Sequence, residues 1–318
     1  MAYTIIKPAD RQGWLQEREK GIGSSEVGTI LGVNPWETPY QLWRRKKGLD
    51  PRLEENAAMR AGHILEGAVA TYFEQDSGRQ VIKASDGDWL AVDTVRDFLR
   101  VSPDRTYWLD EGRSKDNKGI LECKTTQMDI SEDDVPKHWF CQLMYQLGVM
   151  GYQQGSLAWL TRGQKFGYRD IQFDADFYGY MVEQIEKFWV DYIHGNQEPP
   201  ITTIDDVMVK FKRSKDGKVV EVTPEIMDAI TNLKSIKPQL DILTEQKKEL
   251  EDSIKLFMAD ADTICMQGTK EQNPAVICTW KSAKDNEKFD TKRFALDHPD
   301  LYAQYMVSTP GTRRFLIK

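Results

Sequence analysis

The sequence predicts an α/β (α+β) fold: a mixed central sheet flanked by helices, followed by a C-terminal helical arm and a small β appendage. Up to about residue 205, segments with helical and with strand-like spacing of apolar residues mix along the chain, which is typical of such folds. After residue 205 the apolar residues follow the alternating four-and-three spacing of a coiled coil or helical hairpin. We therefore predict two domains, residues 1–205 and 206–318.

In the first region, helix ends are marked by glycine and by capping residues, and strands by short apolar runs. A helix over residues 12–20 leads into "GIGSSEVGTILG", where Ser24 or Ser25 should cap a short helix. A second short helix should end at Gly48, and a longer one, whose apolar face includes Met59 and Ile64, at Gly78. Further helices are predicted over residues 137–150 and 176–193, and strands over residues 80–83, 97–102, 120–126, 156–161 and 168–173.

The second region contains one apolar seam. Lys247 occupies the single slot of the seam that is not apolar, and Pro238 should start or kink a helix. The stretch from residue 275 to the C-terminus predicts a strand, a short helix and a strand. The apolar members of the seam are Ile236, Leu240, Leu243, Leu250, Ile254 and Phe257.

Composition argues against several classes of protein. The 318 residues are 40% apolar and 29% charged, and no apolar run approaches the roughly 20 residues that span a bilayer. The chain starts without a signal-peptide pattern, so we expect a cytoplasmic protein. The spacing of the four cysteines does not match zinc, iron–sulfur or disulfide frameworks. A net charge of −7 does not favour a general polyanion binder, although a local basic groove remains compatible with it.

The stretch "GILECKTT", residues 119–126, carries the main chemical signal. Because alternate residues of a strand share a face, Glu122 and Lys124 should be neighbours on one surface, while Cys123 points to the other side and packs in the core. The same triplet pattern recurs at residues 245–247 inside a helical segment. There, residues two apart point in different directions, so the second copy is not a site.

Two further acids are candidates for the same site. Asp104 follows a strand that Pro103 ends, and the turn-rich stretch between residues 110 and 119 should bring it beside Glu122. Neighbouring carboxylates repel unless a cation lies between them, and Mg²⁺ is commonly held by one or two carboxylates, water and substrate phosphates. Glu66 lies on an otherwise apolar helical stretch with small neighbours, where it is either a buried ligand or a surface residue.

The spacing of Asp104, Glu122 and Lys124 resembles the motif of the PD-(D/E)XK nuclease superfamily. Five segments occur in a fixed order: "WLQEREKGIGSSEVGTILGVNPW", "MRAGHILEGAVATYFEQDSG", "SPD", "LECKTT" and "FCQLMYQLGVMGY". Together they closely resemble the YqaJ-like viral recombinases, relatives of the phage lambda exonuclease, over about residues 10–195. The resemblance implies a restriction-endonuclease-like core.

The resemblance also implies roles for these residues. Glu66, Asp104 and Glu122 would bind one or two Mg²⁺ ions, for which Mn²⁺ is a plausible substitute, with the carbonyl region of Cys123 nearby. Lys124 would orient the attacking water or help to deprotonate it.

Two glutamine positions of the family fall on the helix "HWFCQLMYQLG". Gln142 matches the glutamine that contacts the DNA at the active-site end. Met144 stands where the family has its second glutamine, which puts that contact in doubt. Tyr145 and Gln146 either compensate for it or pack in the core.

The family holds a terminal 5′-phosphate, and this chain has matching residues. Arg18 and Ser25 keep the family spacing from Trp14, and Ser102 precedes Asp104 by two positions. An arginine fork with hydroxyl donors suits a phosphate dianion. The densest basic run, residues 44–47, contributes Arg44 and Arg45 as further candidate DNA contacts, unless it is simply a solvated helix end.

The resemblance therefore implies a Mg²⁺-dependent exonuclease that digests one strand of linear duplex DNA from the 5′ end. The 3′ single-stranded tails would go to a phage-type single-strand annealing protein in the cytoplasm of a bacterial host. The family also implies a homo-oligomer, often a trimeric ring. Two alternatives remain: an endonuclease or single-strand nuclease of the same superfamily, and a non-catalytic DNA-binding accessory protein. The helical arm could serve oligomerisation, partner docking or clamping on DNA.

Overall fold

The computed structural model describes residues 3–51, 56–82, 89–114, 117–266, 275–285, 287–308, 311 and 313–317. The chain forms two compact units, Met1–Lys210 and Phe211–Lys318. Residue 205, the sequence-based boundary, lies within a helix of the first unit, Ile204–Lys210.

In its described part, the first unit contains two sheets. The smaller sheet has the strand order β1 (Tyr3–Ile6), β4 (Leu90–Asp93), β5 (Leu99–Val101), β2 (Ile22–Gly23). The larger sheet has the order β3 (Val81–Ile82), β6 (Arg105–Trp108), β7 (Lys118–Thr126), β8 (Gln154–Thr161), β9 (Lys165–Gln172).

Eight helical segments accompany these sheets among the residues described for the first unit. They are α1 (Arg11–Glu19), α2 (Ser24–Ile30), α3 (Pro39–Lys46), α4 (Ala57–Ser77), α5 (Lys137–Met150), α6 (Ala175–Lys187), a π-helical segment (Phe188–His194) and α7 (Ile204–Lys210). Gly78 ends α4 in the left-handed conformation, with φ of +68°, as its position in the sequence predicts.

The larger sheet is mixed, as predicted. β7 pairs with β6 in antiparallel fashion and with β8 in parallel fashion, and α5 forms the crossover between β7 and β8. The two faces of β7 belong to different cores. Ile120 packs in the large cluster that also contains residues of α5, whereas Leu121 packs with Val69 and Phe73 of α4. The predicted alternation along this strand is therefore confirmed.

The second unit is built around one long helix, α8 (Pro224–Met258). Antiparallel strands β10 (Thr263–Met266) and β11 (Ala275–Thr279) and the short helices α9 (Thr291–Asp297) and α10 (Pro299–Tyr305) follow it. In the described part of the chain, no helix is long and apolar enough to cross a bilayer.

Several sequence-based expectations about local structure are wrong. Gly23, not Ser24 or Ser25, is the N-cap of α2, because both serines already lie inside the helix. The Glu26 carboxylate accepts a hydrogen bond from the Gly23 N–H at 2.9 Å. Met59 and Ile64 are exposed rather than part of the apolar face of α4.

The element boundaries needed correction as well. Strands β1, β2, β4, β6 and β10 were not anticipated, and residues 97–102 contribute to the smaller sheet rather than to the central one. The α-helix predicted over residues 176–193 continues as a π-helix after Lys187. Helix α8 begins at Pro224 and runs through Pro238, so Pro238 does not start a helix. The described residues 313–317 form no strand. Lys83, in the strand predicted over residues 80–83, lies outside the described residues.

Candidate active site

A cleft of about 760 Å³ in the first unit brings most of the predicted site residues together. The arginine and serines proposed for phosphate binding line the same cleft as the acids, the lysine and the first glutamine of the motif. These residues are Arg18, Ser25, Glu66, Ser102, Asp104, Glu122, Cys123, Lys124 and Gln142.

Strand pairing places Asp104 next to the Glu-Cys-Lys segment. The antiparallel register pairs Arg105 of β6 with Leu121 of β7, so the residue before β6 lies beside the middle of β7. One carboxylate oxygen of Asp104, Oδ2, accepts a hydrogen bond from the Cys123 N–H at 2.8 Å. The backbone of β7 thus orients the carboxylate of a residue that does not itself belong to a strand.

Glu122 is almost fully enclosed, with 1% of its surface exposed, and hydrogen bonds to both carboxylate oxygens orient the group. Its Oε1 accepts hydrogen bonds from Lys124 Nζ at 2.7 Å and from Gln142 Nε2 at 2.5 Å. Its Oε2 accepts one from Gln146 Nε2 at 2.8 Å. Lys124 Nζ also donates to Gln142 Oε1 at 2.9 Å, which closes a polar network between β7 and α5.

The electrostatics of the cleft favour a cation. Burial, together with the nearby carboxylates of Glu122 and Glu66, raises the pKa of Asp104 well above its ordinary range, although Lys124 acts in the opposite direction. Burial by itself would lower the pKa of Lys124, but Glu122 and Asp104 outweigh it and raise that pKa. The ammonium of Lys124 therefore stays charged, and it does not fully compensate the acids around it.

Glu66 lies on α4 and is half-buried, and its carboxylate forms an ion pair with Arg105. Arg105 also donates to the backbone carbonyl of Asp104 at 2.5 Å, so it links the two acids. Among the residues that the structure describes, no group of three His, Cys, Asp or Glu side chains is close enough to hold one metal ion. Asp104 and Glu122 form the part of the predicted ligand set that strand pairing has already assembled.

The side chain of Cys123 lies on the opposite face of β7 from Glu122 and Lys124. It packs against the apolar cluster between β7 and α4, as the alternation along the strand predicts. Burial and the neighbouring carboxylates raise the pKa of its thiol well above the ordinary value, so a thiolate is disfavoured there. Its main-chain carbonyl is the group that the family resemblance assigns to the metal.

Arg18 and Ser25 form a pair that faces the cleft. Arg18 Nη2 donates to Ser25 Oγ at 3.1 Å, and the guanidinium lies 4.7 Å from the ring centroid of Trp14. Gly23 makes room for this arginine, because a Cβ at that position would lie 3.0 Å from Arg18 Nη2. Ser25 is exposed in the first turn of α2, so its hydroxyl can contact a ligand.

Arg44 and Arg45 are placed differently from the other predicted contacts. Arg44 makes a two-pronged ion pair with Asp50, at 2.7 and 2.9 Å, and Arg45 is paired with Glu37 at 3.0 Å and with Glu26 at 3.2 Å. Neither belongs to the described residues that line the cleft. Both guanidinium groups are engaged by acids of their own unit, which the basic run in the sequence did not reveal.

Met144, Tyr145 and Gln146 of α5 make different contacts in the structure. Met144 points into the core, where its sulfur accepts a hydrogen bond from the Asp174 N–H at 3.3 Å. The Tyr145 hydroxyl donates to the Ile22 carbonyl at 2.9 Å and is fully buried. Gln146, also fully buried, contacts Glu122 instead. Its spacing of four from Gln142 places both amides on one face of α5, and this was the sequence signal for a second glutamine contact.

Comparisons with known proteins agree with the sequence motifs. The family model of the YqaJ-like viral recombinase domain matches residues 13–153. Protein YqaJ of Bacillus subtilis (strain 168) is 31% identical over 319 residues, a match that covers 97% of this chain and 94% of that protein.

Two solved structures show a more distant similarity. An alkaline exonuclease from Laribacter hongkongensis aligns with a TM-score of 0.44 and 16% identity, covering 63% of this chain and 97% of that one. A phage-related exonuclease from Haemophilus somnus 129PT aligns with a TM-score of 0.40 and 12% identity, covering 55% and 94%.

Proposed function

Because the chain belongs to the YqaJ-like viral recombinase family, we propose that it is a Mg²⁺-dependent exonuclease that digests one strand of linear duplex DNA from the 5′ end. The observation that carries this proposal is that one cleft contains both Asp104 and the Glu122–Lys124 pair of β7, and also the Arg18–Ser25 pair. The first set suits hydrolysis of a phosphodiester and the second suits a terminal phosphate.

The acids fit a magnesium ion by their chemistry. Asp104 and Glu122 are buried beside each other, and their mutual repulsion is relieved when a divalent cation binds. Two carboxylates, completed by water and substrate phosphate oxygens, are a sufficient set for Mg²⁺, and Glu66 would join them when Arg105 releases it. The bound ion would lower the pKa of water and stabilise charge on the phosphate oxygens.

Lys124 is proposed to act as a charged donor. Its raised pKa keeps the ammonium protonated in the metal-free protein, which favours orienting water or contacting a phosphate oxygen over accepting a proton. Glu122 and Gln142 hold the ammonium in place at 2.7 and 2.9 Å. Gln142 Nε2 in turn donates a hydrogen bond to Glu122 at 2.5 Å. A DNA contact made by Gln142 would therefore also affect the position of the Glu122 carboxylate.

The Arg18–Ser25 pair is proposed to bind the 5′-phosphate. A guanidinium can donate two hydrogen bonds to one phosphate, and Ser25 adds a neutral donor. Ser102, which lies in the same cleft, is the third proposed donor. Anchoring of the phosphorylated end would direct digestion from 5′ to 3′ and leave 3′ single-stranded tails.

We also propose, from family membership alone, that these tails are substrates for a phage-type single-strand annealing protein. The same resemblance supports a homo-oligomeric ring acting in the cytoplasm of a bacterial host.

A cleavage assay with three substrates tests the activity. Linear duplex DNA with 5′-phosphate ends, the same duplex with 5′-hydroxyl ends, and a closed circle are each incubated with Mg²⁺. We expect rapid digestion of the first, slower digestion of the second and an intact circle. Cutting of the circle would indicate an endonuclease instead, and binding without cleavage of any substrate would indicate an accessory protein.

Variants assign the roles within the site. Glu122→Ala and Lys124→Ala should each abolish turnover, whereas Lys118→Ala, on the same strand but outside the cleft, should not. Arg18→Ala should remove the preference for a 5′-phosphate, and Arg44→Ala should retain it. Full turnover in Glu122→Ala would refute the metal site, and an unchanged phosphate preference in Arg18→Ala would refute the phosphate pocket alone.

A further inference from the structure

Helix α8 carries an apolar seam along nearly its whole length of 35 residues. Its a and d positions follow the four-and-three heptad spacing, with Lys247 at the one polar a position. The apolar members are all exposed, Leu240 for example to 60% and Leu243 to 61%. In the structure the heptad spacing extends the seam to Ile226 and Leu233. The extended seam comprises Ile226, Leu233, Ile236, Leu240, Leu243, Lys247, Leu250, Ile254 and Phe257.

Nothing described in the second unit covers this seam. Met258 is the one residue of α8 that is buried, and the strands and short helices that follow leave the seam open. Pro238 occupies an f position, opposite the seam, so it does not interrupt a surface used for pairing. A regular heptad pattern is self-complementary, because knobs at a and d fit the holes of a second identical helix.

We propose that α8 pairs with α8 of a second copy of this chain as an antiparallel coiled coil. Pairing Leu240 with Leu250 of the second copy sets the register over residues 233–257 and leaves Ile226 beyond the paired segment. Within that segment, apolar residues meet in every kind of layer except one. Leu233 meets Phe257, and Ile236 meets Ile254. The exception is Leu243, which meets Lys247, whose aliphatic stem can pack while the ammonium reaches water.

Charge complementarity selects this arrangement over the parallel one. In the antiparallel register, Lys237 at an e position faces Glu251 of the second copy, and the two-fold axis repeats the pair. In a parallel in-register pair, Lys247 would face Lys247 within the seam. Lys237 would then face Asn232, so the Lys237–Glu251 pair and its symmetry-related copy would both be lost.

The first test compares full-length chains by sedimentation equilibrium at micromolar concentration. Leu240→Lys places a charge in two layers and should weaken self-association at least about a hundredfold, since each copy loses a buried leucine. Ile242→Lys is the matched control, because Ile242 is 59% exposed on the same helix but lies outside the seam. A monomeric wild-type chain would overturn the proposal and leave the seam for another partner. Equal association of wild type and Leu240→Lys would overturn it too.

The second test addresses the antiparallel register and does not require a variant with an altered seam. Lys237→Glu and Glu251→Lys should each weaken association by about tenfold at low salt, and the double variant should recover most of it. Two single effects that simply add would refute the antiparallel register. The proposed ring would form through contacts other than α8, because an antiparallel pair is two-fold symmetric. The quantity that tests the proposal is therefore the association lost on substitution in α8. None of these outcomes depends on the proposed nuclease activity, because no substrate is present.

Discussion

Replacing Asp104 by asparagine should make the metal-free protein more resistant to heat at neutral pH, although turnover should be lost. In the folded protein, burial and the carboxylates of Glu122 and Glu66 raise the pKa of Asp104 above its ordinary value of 3.8. The protonated form therefore stabilises the fold below about pH 4, and this contribution is lost as the pH rises through the folded-state pKa. Asparagine carries no charge, so it avoids this loss while keeping an oxygen for the Cys123 N–H.

The size of the effect follows from the contacts of Asp104. Two like charges a few ångströms apart repel by about 4 kcal/mol at an effective dielectric constant of about 20. The ammonium of Lys124 and the Cys123 N–H offset part of this repulsion. We expect Asp104→Asn to raise the free energy of unfolding by about 1–3 kcal/mol. In a unit of this size, each kcal/mol raises the melting temperature by about 2–4 °C.

Thermal unfolding with EDTA, followed by tryptophan fluorescence between pH 4 and pH 8, measures this gain. All tryptophans except Trp280 belong to the first unit, so the signal reports on it. The stabilisation should be small at the acidic end and should grow with pH.

Asp206→Asn is the control, because it should change the melting temperature in the opposite direction. Burial raises the pKa of Asp206, but hydrogen bonds from the Thr38 hydroxyl, at 2.6 Å, and from the Thr202 and Thr203 N–H groups outweigh it and lower that pKa. Its ionised form thus stabilises the fold above the unfolded-state pKa, so Asp206→Asn should lower the melting temperature at neutral pH. If Asp104→Asn melts at or below the wild-type temperature throughout the pH range, the electrostatic reasoning about the cleft is wrong.

Two further substitutions have definite expectations. Gln146→Leu removes the 2.8 Å hydrogen bond that supports Glu122 from behind the cleft. In steady-state kinetics, kcat should fall about 10–100-fold and the Mg²⁺ concentration for half-maximal activity should rise, with little change in KM for DNA. An unchanged kcat would contradict this expectation. Gly148→Ala should destabilise the first unit by about 1–3 kcal/mol in urea unfolding, because its Cβ would lie 2.1 Å from a ring carbon of Tyr178. Gly179→Ala, with open space around the new methyl group, should instead be neutral or stabilising, and equal effects of the two would contradict the packing explanation.

Features that depend on residues close together in the chain can be predicted from the sequence alone. The helix over residues 137–150 and the stop at Gly78 are local, because capping and backbone conformation involve a few neighbouring residues. The two faces of β7 follow from strand alternation, which holds wherever the strand is placed. The family, too, was evident from the order and spacing of short motifs.

Which polar groups pair with one another depends on the tertiary fold. Arg44 and Arg45 looked available in the sequence, but the fold supplies Asp50, Glu37 and Glu26 as their partners. The short strands β2 and β6 were missed because a few residues have no periodicity of their own and become strands only through pairing.

The residues of the candidate site differ in the same way: strand alternation places some of them, and packing between distant segments places the others. That Glu122 and Lys124 share a face follows from the chain alone. That Gln146 rather than Met144 reaches Glu122 depends on how α5 is rotated against β7, and packing of the whole core sets that rotation. Covalent neighbours are fixed by backbone geometry, whereas contacts between distant segments are selected by the burial of apolar surface around them.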